Sequence, residues 1–214
     1  MFFRGVPLFE GLSEAHHALL LQMAVRRTYP RHALIVQEGD PGERFFLLRR
    51  GRAKVYLGNP DGREVILAIL GSGDFFGEMA LVDDESCSAS VMAFEESEFV
   101  SIGKAEFQQV LATSPDMAAS LLKALSKRLR EADRQIESLA LNDVRARVEQ
   151  ALRSLARPEG DELVISSRVT HRDIAAMVGT SREVVTRIFR SLEEGGVVKI
   201  DGRRIILVPS ILQP

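Results

Sequence analysis

The chain has 214 residues, of which 45% are hydrophobic and 27% are charged, and its formal net charge is −2. Such a composition is typical of a folded globular protein and excludes a disordered chain, and no apolar run approaches the roughly 18 residues of a membrane span. The single cysteine, Cys87, excludes an internal disulfide and a cysteine-ligated iron–sulfur cluster, which favours a reducing cytoplasm as the location.

The charge is unevenly distributed along the chain. Residues 143–214 contain 12 Lys and Arg against 10 Asp and Glu, a balance of +2, whereas residues 1–142 contain 16 against 20, a balance of −4. Eleven of the 12 C-terminal cations are arginine, whose planar guanidinium suits bidentate recognition. The asymmetry is a weak indication that the C-terminal part contacts nucleic acid.

The first predicted elements are a helix and a series of short strands. Residues 13–24 fit an amphipathic helix that Ser13 caps. Between residues 25 and 102, apolar runs alternate with turns rich in Gly, Pro and Asn, and these runs are ALIVQE, RFFLLRRG, RAKVYLG, REVILAIL and FVSI. Strands of this length and spacing predict an antiparallel roll or barrel.

Residues 73–90, GDFFGEMALVDDESCSAS, have the features of a phosphate cradle that lacks a cation. A short helical start follows Gly77, and serines come after it at positions 86, 88 and 90. Backbone amides at a helix start beside serines suit an anion such as a phosphate. The stretch contains five carboxylates and no Lys or Arg, however, so these residues alone leave its ligand open.

A long helix with a heptad pattern is predicted from residue 115 to 142. Its apolar positions alternate in steps of four and three, which is the a/d pattern of a helix that pairs with its own copy. They are Ala118, Leu122, Leu125, Leu129, Ala132, Ile136 and Leu139. With Leu122 at a, Arg128 falls at g and Asp133 at the following e, where opposite charges would meet in a parallel dimer. The alternative is a helix that packs on its own roll.

The remaining residues predict a winged helix-turn-helix. A helix over residues 143–154 leads to RPEGDEL, which reads as a loop. A short helix then begins at Thr170, whose pairing with Asp173 resembles an N-cap, and Ser181 caps a second helix after a tight turn. The run VVKI-DG-RRIILV reads as a two-stranded hairpin.

The exposed side of the second helix carries side chains suited to reading DNA. They are Arg182, Glu183, Thr186, Arg187 and Arg190. Arginine can bridge O6 and N7 of guanine, and glutamate can accept from N4 of cytosine. The groups expected at DNA phosphates are Arg190, Arg203 and the hydroxyls of Thr170 and Ser181. The alternative, an ordinary solvated helix face, is less favoured because the cap, the tight turn and the hairpin frame this helix.

Four segments resemble the Crp/Fnr superfamily of bacterial transcription regulators in order and spacing. They are LFEGLS, QEGDPGERFFLLRRGRAKVY, DGREVILAILGSGDFFGEMAL and VGTSREVVTRIFRSLEEGGVV. The resemblance covers nearly all of the chain and implies an α+β fold. Its parts would be a β-roll effector domain (residues 1–114), a dimerisation helix and hinge (115–142) and a winged helix-turn-helix domain (143–214). In relatives with the same SRExxxR helix, the counterparts of Arg182, Glu183 and Arg187 read a TGTGA-type half-site.

The resemblance also implies a cyclic-nucleotide pocket in the roll, from which this chain departs at two points. Gly77 and Glu78 match a Gly-Glu pair whose carboxylate engages the ribose, and Ser88 matches a family serine. The arginine that neutralises the cyclic phosphate is Cys87 here, and Ala132 and Asp133 stand where relatives offer hydroxyls to the adenine. We therefore expect that cyclic AMP is not the physiological effector. The pocket residues are Gly77, Glu78, Met79, Cys87, Ser88, Arg128 and Asp133.

We expect a homodimer that binds double-stranded DNA and contacts RNA polymerase, without a catalytic site, a metal site or a required cofactor. Cys87 has acidic neighbours, which favours an inert thiol over a redox sensor, and the His16-His17 pair reads as a solvated helix face. One alternative is a regulator gated by another nucleotide, such as a cyclic dinucleotide, with the serines at 86, 88 and 90 lining its pocket. Another is a cyclic-nucleotide-binding module whose main role is ligand sensing, which would lack residues 170–208.

Overall fold

The computed structural model of the chain describes residues 3, 5–160, 162–165, 169–202 and 204–208. Arg203, which the sequence places at a DNA phosphate, lies outside the described residues. The chain divides into two compact units, one from Met1–Gly58 and Ile66–Glu131 and the other from Asn59–Val65 and Ala132–Pro214. No helix within the described ranges has the length and apolarity needed to cross a bilayer.

The N-terminal part is a roll of two four-stranded sheets with helices, as predicted. The strands are β1 Val25–Tyr29, β2 Leu34–Val36, β3 Arg44–Arg50, β4 Ala53–Gly58, β5 Glu64–Leu70, β6 Phe75–Phe76, β7 Ser90–Ala93 and β8 Ser97–Gly103. The sheet orders are β1-β8-β3-β6 and β2-β7-β4-β5. The helices are α1 Glu14–Met23, which Ser13 caps as predicted, α2 Glu78–Val82 and α3 Lys104–Thr113.

Strand β3 connects the two hydrophobic clusters of this part because both of its faces are buried. Phe45 and Leu47 join a cluster that includes residues of α1 and α3, and the Phe45 ring stacks on Phe107 with 4.9 Å between centroids. Phe46 and Leu48, one residue out of phase, join a second cluster between the sheets. The run FFLL at residues 45–48 therefore has an apolar residue at every position, because successive side chains of a strand point to opposite faces.

The helix α4, Pro115–Leu141, has two apolar faces. Met117 and Leu121 are buried in the cluster shared with α1 and α3, and Leu125 packs partly against it. The predicted a positions form the other face: Leu122, Leu129 and Ile136 are 65%, 64% and 66% exposed. One face of α4 therefore packs on the roll of the same chain, as in the alternative prediction. The face formed by the a positions is exposed to solvent in the single chain.

The second unit has the architecture predicted for a winged helix-turn-helix. Its elements are α5 Val144–Leu155, β9 Arg157–Glu159, β10 Glu162–Ile165, α6 His171–Val178, α7 Arg182–Glu194, β11 Val198–Asp201 and β12 Arg204–Leu207. Asp143 caps α5 by accepting from the Ala146 amide at 2.8 Å. The predicted hairpin is present as β11 and β12, which pair from Val198–Leu207 to Asp201–Arg204.

The prediction of a loop at RPEGDEL is wrong. Residues 157–159 form β9, which pairs antiparallel with β10, and β10 in turn pairs with β12. The result is a four-stranded sheet in the order β11-β12-β10-β9. The three residues of β9 are all exposed, so the apolar alternation that would reveal a strand is missing. The buried side chains that hold the sheet to the unit are Val164 and Ile165, just beyond the misread segment.

Candidate nucleic-acid interface and effector pocket

The first helix of the helix-turn-helix begins with a reciprocal capping box. The Thr170 hydroxyl oxygen accepts from the Asp173 amide at 3.1 Å, and the Asp173 carboxylate accepts from the Thr170 amide at 2.8 Å. Two amides at the helix start that lack intrahelical partners are thereby satisfied. At its other end, α6 stops at Gly179, whose φ of 66° allows the turn into α7.

The second helix is fixed by one buried side and two defined ends. Val185, Phe189 and Leu192 are buried, and Ser181 accepts from the Val184 amide at 3.4 Å. Gly195 ends the helix. The sequence thus determines which side of α7 faces the unit and which side is left for a ligand.

The five side chains predicted to read DNA all lie on the exposed side of α7: Arg182, Glu183, Thr186, Arg187 and Arg190. Hydrogen bonds from its own amide and from Ser181 hold the pKa of Glu183 below its usual value, with burial opposing slightly and Arg182 adding to the effect. Glu183 is therefore an anionic acceptor at neutral pH. The guanidiniums of Arg182 and Arg187 and the carboxylate of Glu183 are complementary to the acceptors and donors that G·C pairs present in a major groove.

Two hydroxyls expected at phosphates have partners inside the unit. Thr170 donates to the Asp173 carboxylate at 2.6 Å, and Ser181 caps α7 by accepting from the Val184 amide. A phosphate would have to take these hydroxyls from their present partners. The contacts of Thr170 and Ser181 with DNA remain predictions, whereas Arg190 is exposed and free to reach outward.

Arg147 is a structural residue of the second unit that the sequence analysis missed. Its Nε donates to the Val178 carbonyl at 3.0 Å and its Nη1 to the Asn142 carbonyl at 2.9 Å. The guanidinium thereby ties the end of α6 to the residue that follows α4. Nothing in the sequence separates Arg147 from Arg145 two residues earlier, because the distinguishing partner is a backbone carbonyl 31 positions away.

His171 is a second residue that the sequence analysis did not place at the interface. Its Nδ1 lies 2.9 Å from the Thr186 hydroxyl on α7, and its ring lies 4.5 Å from the Phe189 ring between centroids. The first residue of α6 is thus bonded directly to the predicted reading face. The fifteen-residue separation of this pair hid it from local sequence patterns.

In the roll, the cradle at residues 73–90 is built around Gly77 and Glu78. Gly77 has a φ of 86°, and a Cβ there would lie 2.5 Å from the Arg44 carbonyl oxygen, so only glycine fits. Glu78 is 1% exposed, and its Oε2 is buried without a hydrogen-bond partner among the described residues. Burial raises the pKa of Glu78, and the nearby Arg128 offsets this only in part.

Arg128 brings a positive charge to the cradle, whose own sequence contains no Lys or Arg, but this charge is paired with Glu78. Its Nη1 lies 2.6 Å from Glu78 Oε1, Nη2 donates to the Phe75 carbonyl, and the guanidinium lies 4.5 Å from the Phe75 ring centroid. Both terminal nitrogens therefore have partners within the chain. The predicted pairing of Arg128 with Asp133 of a second copy would compete with these contacts.

The other predicted pocket residues are less enclosed. Met79 and Ser88 are exposed and lie together, with the Ser88 hydroxyl 3.9 Å from the Met79 sulfur. Asp133 is exposed on α4. In the alternative where the serines at 86, 88 and 90 line a ligand pocket, Ser90 is not available, because it is buried and accepts from the Glu38 amide at 3.0 Å.

Cys87 is half-buried in the cradle, and its surroundings favour the protonated thiol. Its amide donates to the Asp40 carbonyl, and its carbonyl accepts from the Gly39 amide, both at 2.9 Å. Burial raises the pKa of the thiol, and the negative charge of Asp40 raises it further. These surroundings support the inert thiol over a reactive thiolate.

Comparison with known families matches both parts of the chain. Residues 26–114 match the cyclic nucleotide-binding domain, and residues 146–212 match the Crp-like helix-turn-helix domain. A chain with this pair of domains is a DNA-binding transcription regulator, the class to which the geometry of α6 and α7 already pointed. The chain belongs to the Crp/Fnr superfamily.

Relatives and solved structures agree with this assignment along almost the whole chain. The chain is 36% identical to the cyclic AMP receptor protein of Thermus thermophilus, over 92% of this chain and 90% of that protein. It is 30% identical to the CRP-like cAMP-activated global transcriptional regulator of Mycobacterium tuberculosis, over 95% and 92%. The c-di-GMP responsive global regulator CLP of Xanthomonas campestris superposes with a TM-score of 0.76 at 27% identity, over 91% and 99%.

Proposed function

We propose that this regulator is a homodimer that reads a TGTGA-like palindrome and does not require cyclic AMP. The observation that carries the proposal is the exposed set Arg182, Glu183 and Arg187 on a helix whose opposite side and both ends are fixed. Two arginines suited to guanine and one glutamate suited to cytosine match the G·C-containing half-site that relatives with this helix read. RNA polymerase is a further partner that we expect for this regulator.

The exposed face of α4 supports the homodimer. Leu122, Leu129 and Ile136 recur every seven residues and are each about two-thirds exposed in one chain. A straight apolar stripe of this kind is costly in water, and an identical helix would bury it through the a and d positions. A two-fold dimer would also place two copies of α7 on a palindrome, with half-sites about one helical turn apart.

Independence from cyclic AMP is supported by the charges of the cradle. Cys87 supplies a neutral thiol where relatives have the phosphate-binding arginine, and Arg128 is held by Glu78 and the Phe75 carbonyl. A charge-assisted bond to a buried anion contributes roughly 1.5–3 kcal/mol, or about 10- to 150-fold in affinity. The relatives from Thermus and Mycobacterium carry cyclic AMP in their names, so Cys87 is the position at which we expect this chain to differ from them.

A second candidate function is gating by a different ligand. Glu78 Oε2 is buried without a hydrogen-bond partner among the described residues, and such an atom is stabilised by a donor from a bound molecule. The Xanthomonas regulator is named as responsive to c-di-GMP, and it is similar in fold to this chain. A ligand with a hydroxyl donor for Glu78 and no need for a cation at Cys87 would suit the cradle.

Selection from random duplex DNA with the unliganded protein tests the proposed function. The expected product is a palindrome of TGTGA-like half-sites whose centres lie about 10 base pairs apart. Recovery of an unrelated or non-palindromic consensus would contradict the assignment of Arg182, Glu183 and Arg187.

Restoring the lost cation should restore cyclic AMP binding. In the double variant Cys87→Arg with Asp133→Ser, we expect calorimetry to show cyclic AMP affinity higher by about 10- to 150-fold, because a charge-assisted bond to the phosphate becomes available. The matched control, Cys87→Ser with Asp133→Ser, removes the same acidic group but adds no charge and should gain much less. An unchanged affinity in a folded double variant would show that these positions do not close the site.

A further inference from the structure

We propose that His171 contacts a DNA phosphate in its protonated form, so that DNA binding is coupled to proton uptake at this residue. The proposal adds a contact to the DNA-binding activity of the family and does not depend on which operator is read. His171 begins α6, and the first helix of a helix-turn-helix crosses the DNA backbone while the second enters the groove. Of the four histidines in the sequence, His171 alone lies in residues 143–214.

The ring of His171 is held from two sides. Its Nδ1 lies 2.9 Å from the Thr186 hydroxyl, and its face packs against the Phe189 ring at a tilt of 37°. Thr186 lies in the middle of the reading face, between Arg182 and Arg190. The imidazole is thereby oriented at the edge of the surface that approaches DNA, with few rotamers left to lose on binding.

The hydrogen-bond network determines which ring nitrogen titrates. The Thr186 hydroxyl donates to the Arg182 carbonyl at 2.9 Å, and this carbonyl can only accept. The proton between Thr186 and His171 must then come from the imidazole, so Nδ1 is the donor. Nε2 is therefore the nitrogen that is free to gain a proton and to donate to an anion.

The surroundings of the ring favour the neutral imidazole in the free protein. Burial lowers the pKa of His171, Arg182 on α7 lowers it further, and Glu193 on α7 opposes them. On α6, the helix that carries His171, the Asp173 carboxylate accepts from the Thr170 hydroxyl. A cavity of about 390 Å³ adjoins the ring, and the described residues that the β11–β12 hairpin contributes to its lining are uncharged: Ile200, Gly202 and Ile205. A phosphate at Nε2 would reverse this balance by favouring the cation.

The direction of the pH dependence follows from the two states. In the free protein the pKa of His171 is lowered, and beside a phosphate it would be raised, so binding takes up protons between those two values. Affinity for DNA should therefore rise as the pH falls through the pKa of the bound state and level off below the pKa of the free state. Each unit between the two pKa values corresponds to about tenfold in affinity.

Calorimetry on the full-length protein tests the proposal without any substitution. A duplex of about 30 base pairs spans two half-sites one turn apart, and it is titrated near pH 7 in buffers of different ionisation enthalpy. The proposal predicts net proton uptake with a TGTGA palindrome and also with a mixed-sequence duplex, because a phosphate contact is independent of sequence. Binding without proton uptake would overturn it, whichever operator the protein prefers.

Three variants assign the proton to His171. From about pH 8 to pH 6, wild-type affinity should rise by at least threefold, His171→Gln should abolish this rise, and His171→Arg should bind tightly at both values. The control His16→Gln alters a histidine outside residues 143–214 and should behave as the wild type. An equal pH response in wild type and His171→Gln, with thermal unfolding showing both folded, would overturn the assignment.

Discussion

Replacing Arg187 with Ala is expected to reduce affinity for a TGTGA-type palindrome by about 1–3 kcal/mol and to flatten discrimination at one base of each half-site. The physical reason is the loss of a bidentate contact from an exposed guanidinium on α7, whose buried side the substitution leaves unchanged. Binding assays with single-base variants of the palindrome give both the affinity and the discrimination. Unfolding measurements should show unchanged stability.

Arg190→Ala is the matched control on the same helix. Arg190 is expected at a phosphate, so its loss should weaken binding to all sequences alike and reduce the dependence of affinity on salt. If Arg187→Ala and Arg190→Ala both lowered affinity uniformly across sequences, base recognition by Arg187 would be refuted.

Placing a charge in the middle of the exposed stripe of α4 is expected to dissociate the dimer. Leu129 is 64% exposed in the single chain, so Leu129→Lys should leave the fold of the roll intact, while in a dimer it would bury two like charges at facing a positions. Analytical ultracentrifugation at micromolar concentration should show a dimer for the wild type and a monomer for the variant. Affinity for the palindrome should fall when the dimer dissociates.

Glu137→Lys is the corresponding control. It places the same side chain on an exposed part of α4 outside the a and d positions, so the dimer should persist. A wild-type protein that sedimented as a monomer would remove the basis for the homodimer, and equal dissociation by both variants would show that net charge, not the stripe, governs assembly.

The sequence predicted the elements whose evidence is local. The heptad steps of α4, the Thr170–Asp173 capping box and the apolar side of α7 are patterns within a few residues, and the structure has all three. The strand β9 was missed because three exposed residues around Pro158 carry no alternation, and its place in the sheet depends on β10 and β12.

The contacts that define the two sites could not be predicted because their partners are distant in sequence. Arg128 and Glu78 are 50 positions apart. The family resemblance placed both in the pocket, but the heptad pattern paired Arg128 with Asp133 of a second chain, and no local pattern showed that its guanidinium binds Glu78. His171 and Thr186 are 15 positions apart, so no local sequence pattern linked the imidazole to α7. In both cases the partner lies on a different helix, which a local sequence pattern does not reveal.

Operator affinity of the unliganded protein, measured with and without millimolar cyclic AMP, tests most directly the proposal that this regulator binds DNA independently of that nucleotide. A ligand shifts a two-state equilibrium only by its differential affinity for the two states, and Cys87 removes the main anchor for the phosphate. We expect tight binding without the nucleotide and a change of less than about threefold on its addition, which is below about 0.7 kcal/mol. Stimulation of about tenfold or more, equivalent to about 1.4 kcal/mol, would mean that the pocket finds its cation elsewhere and would contradict the account.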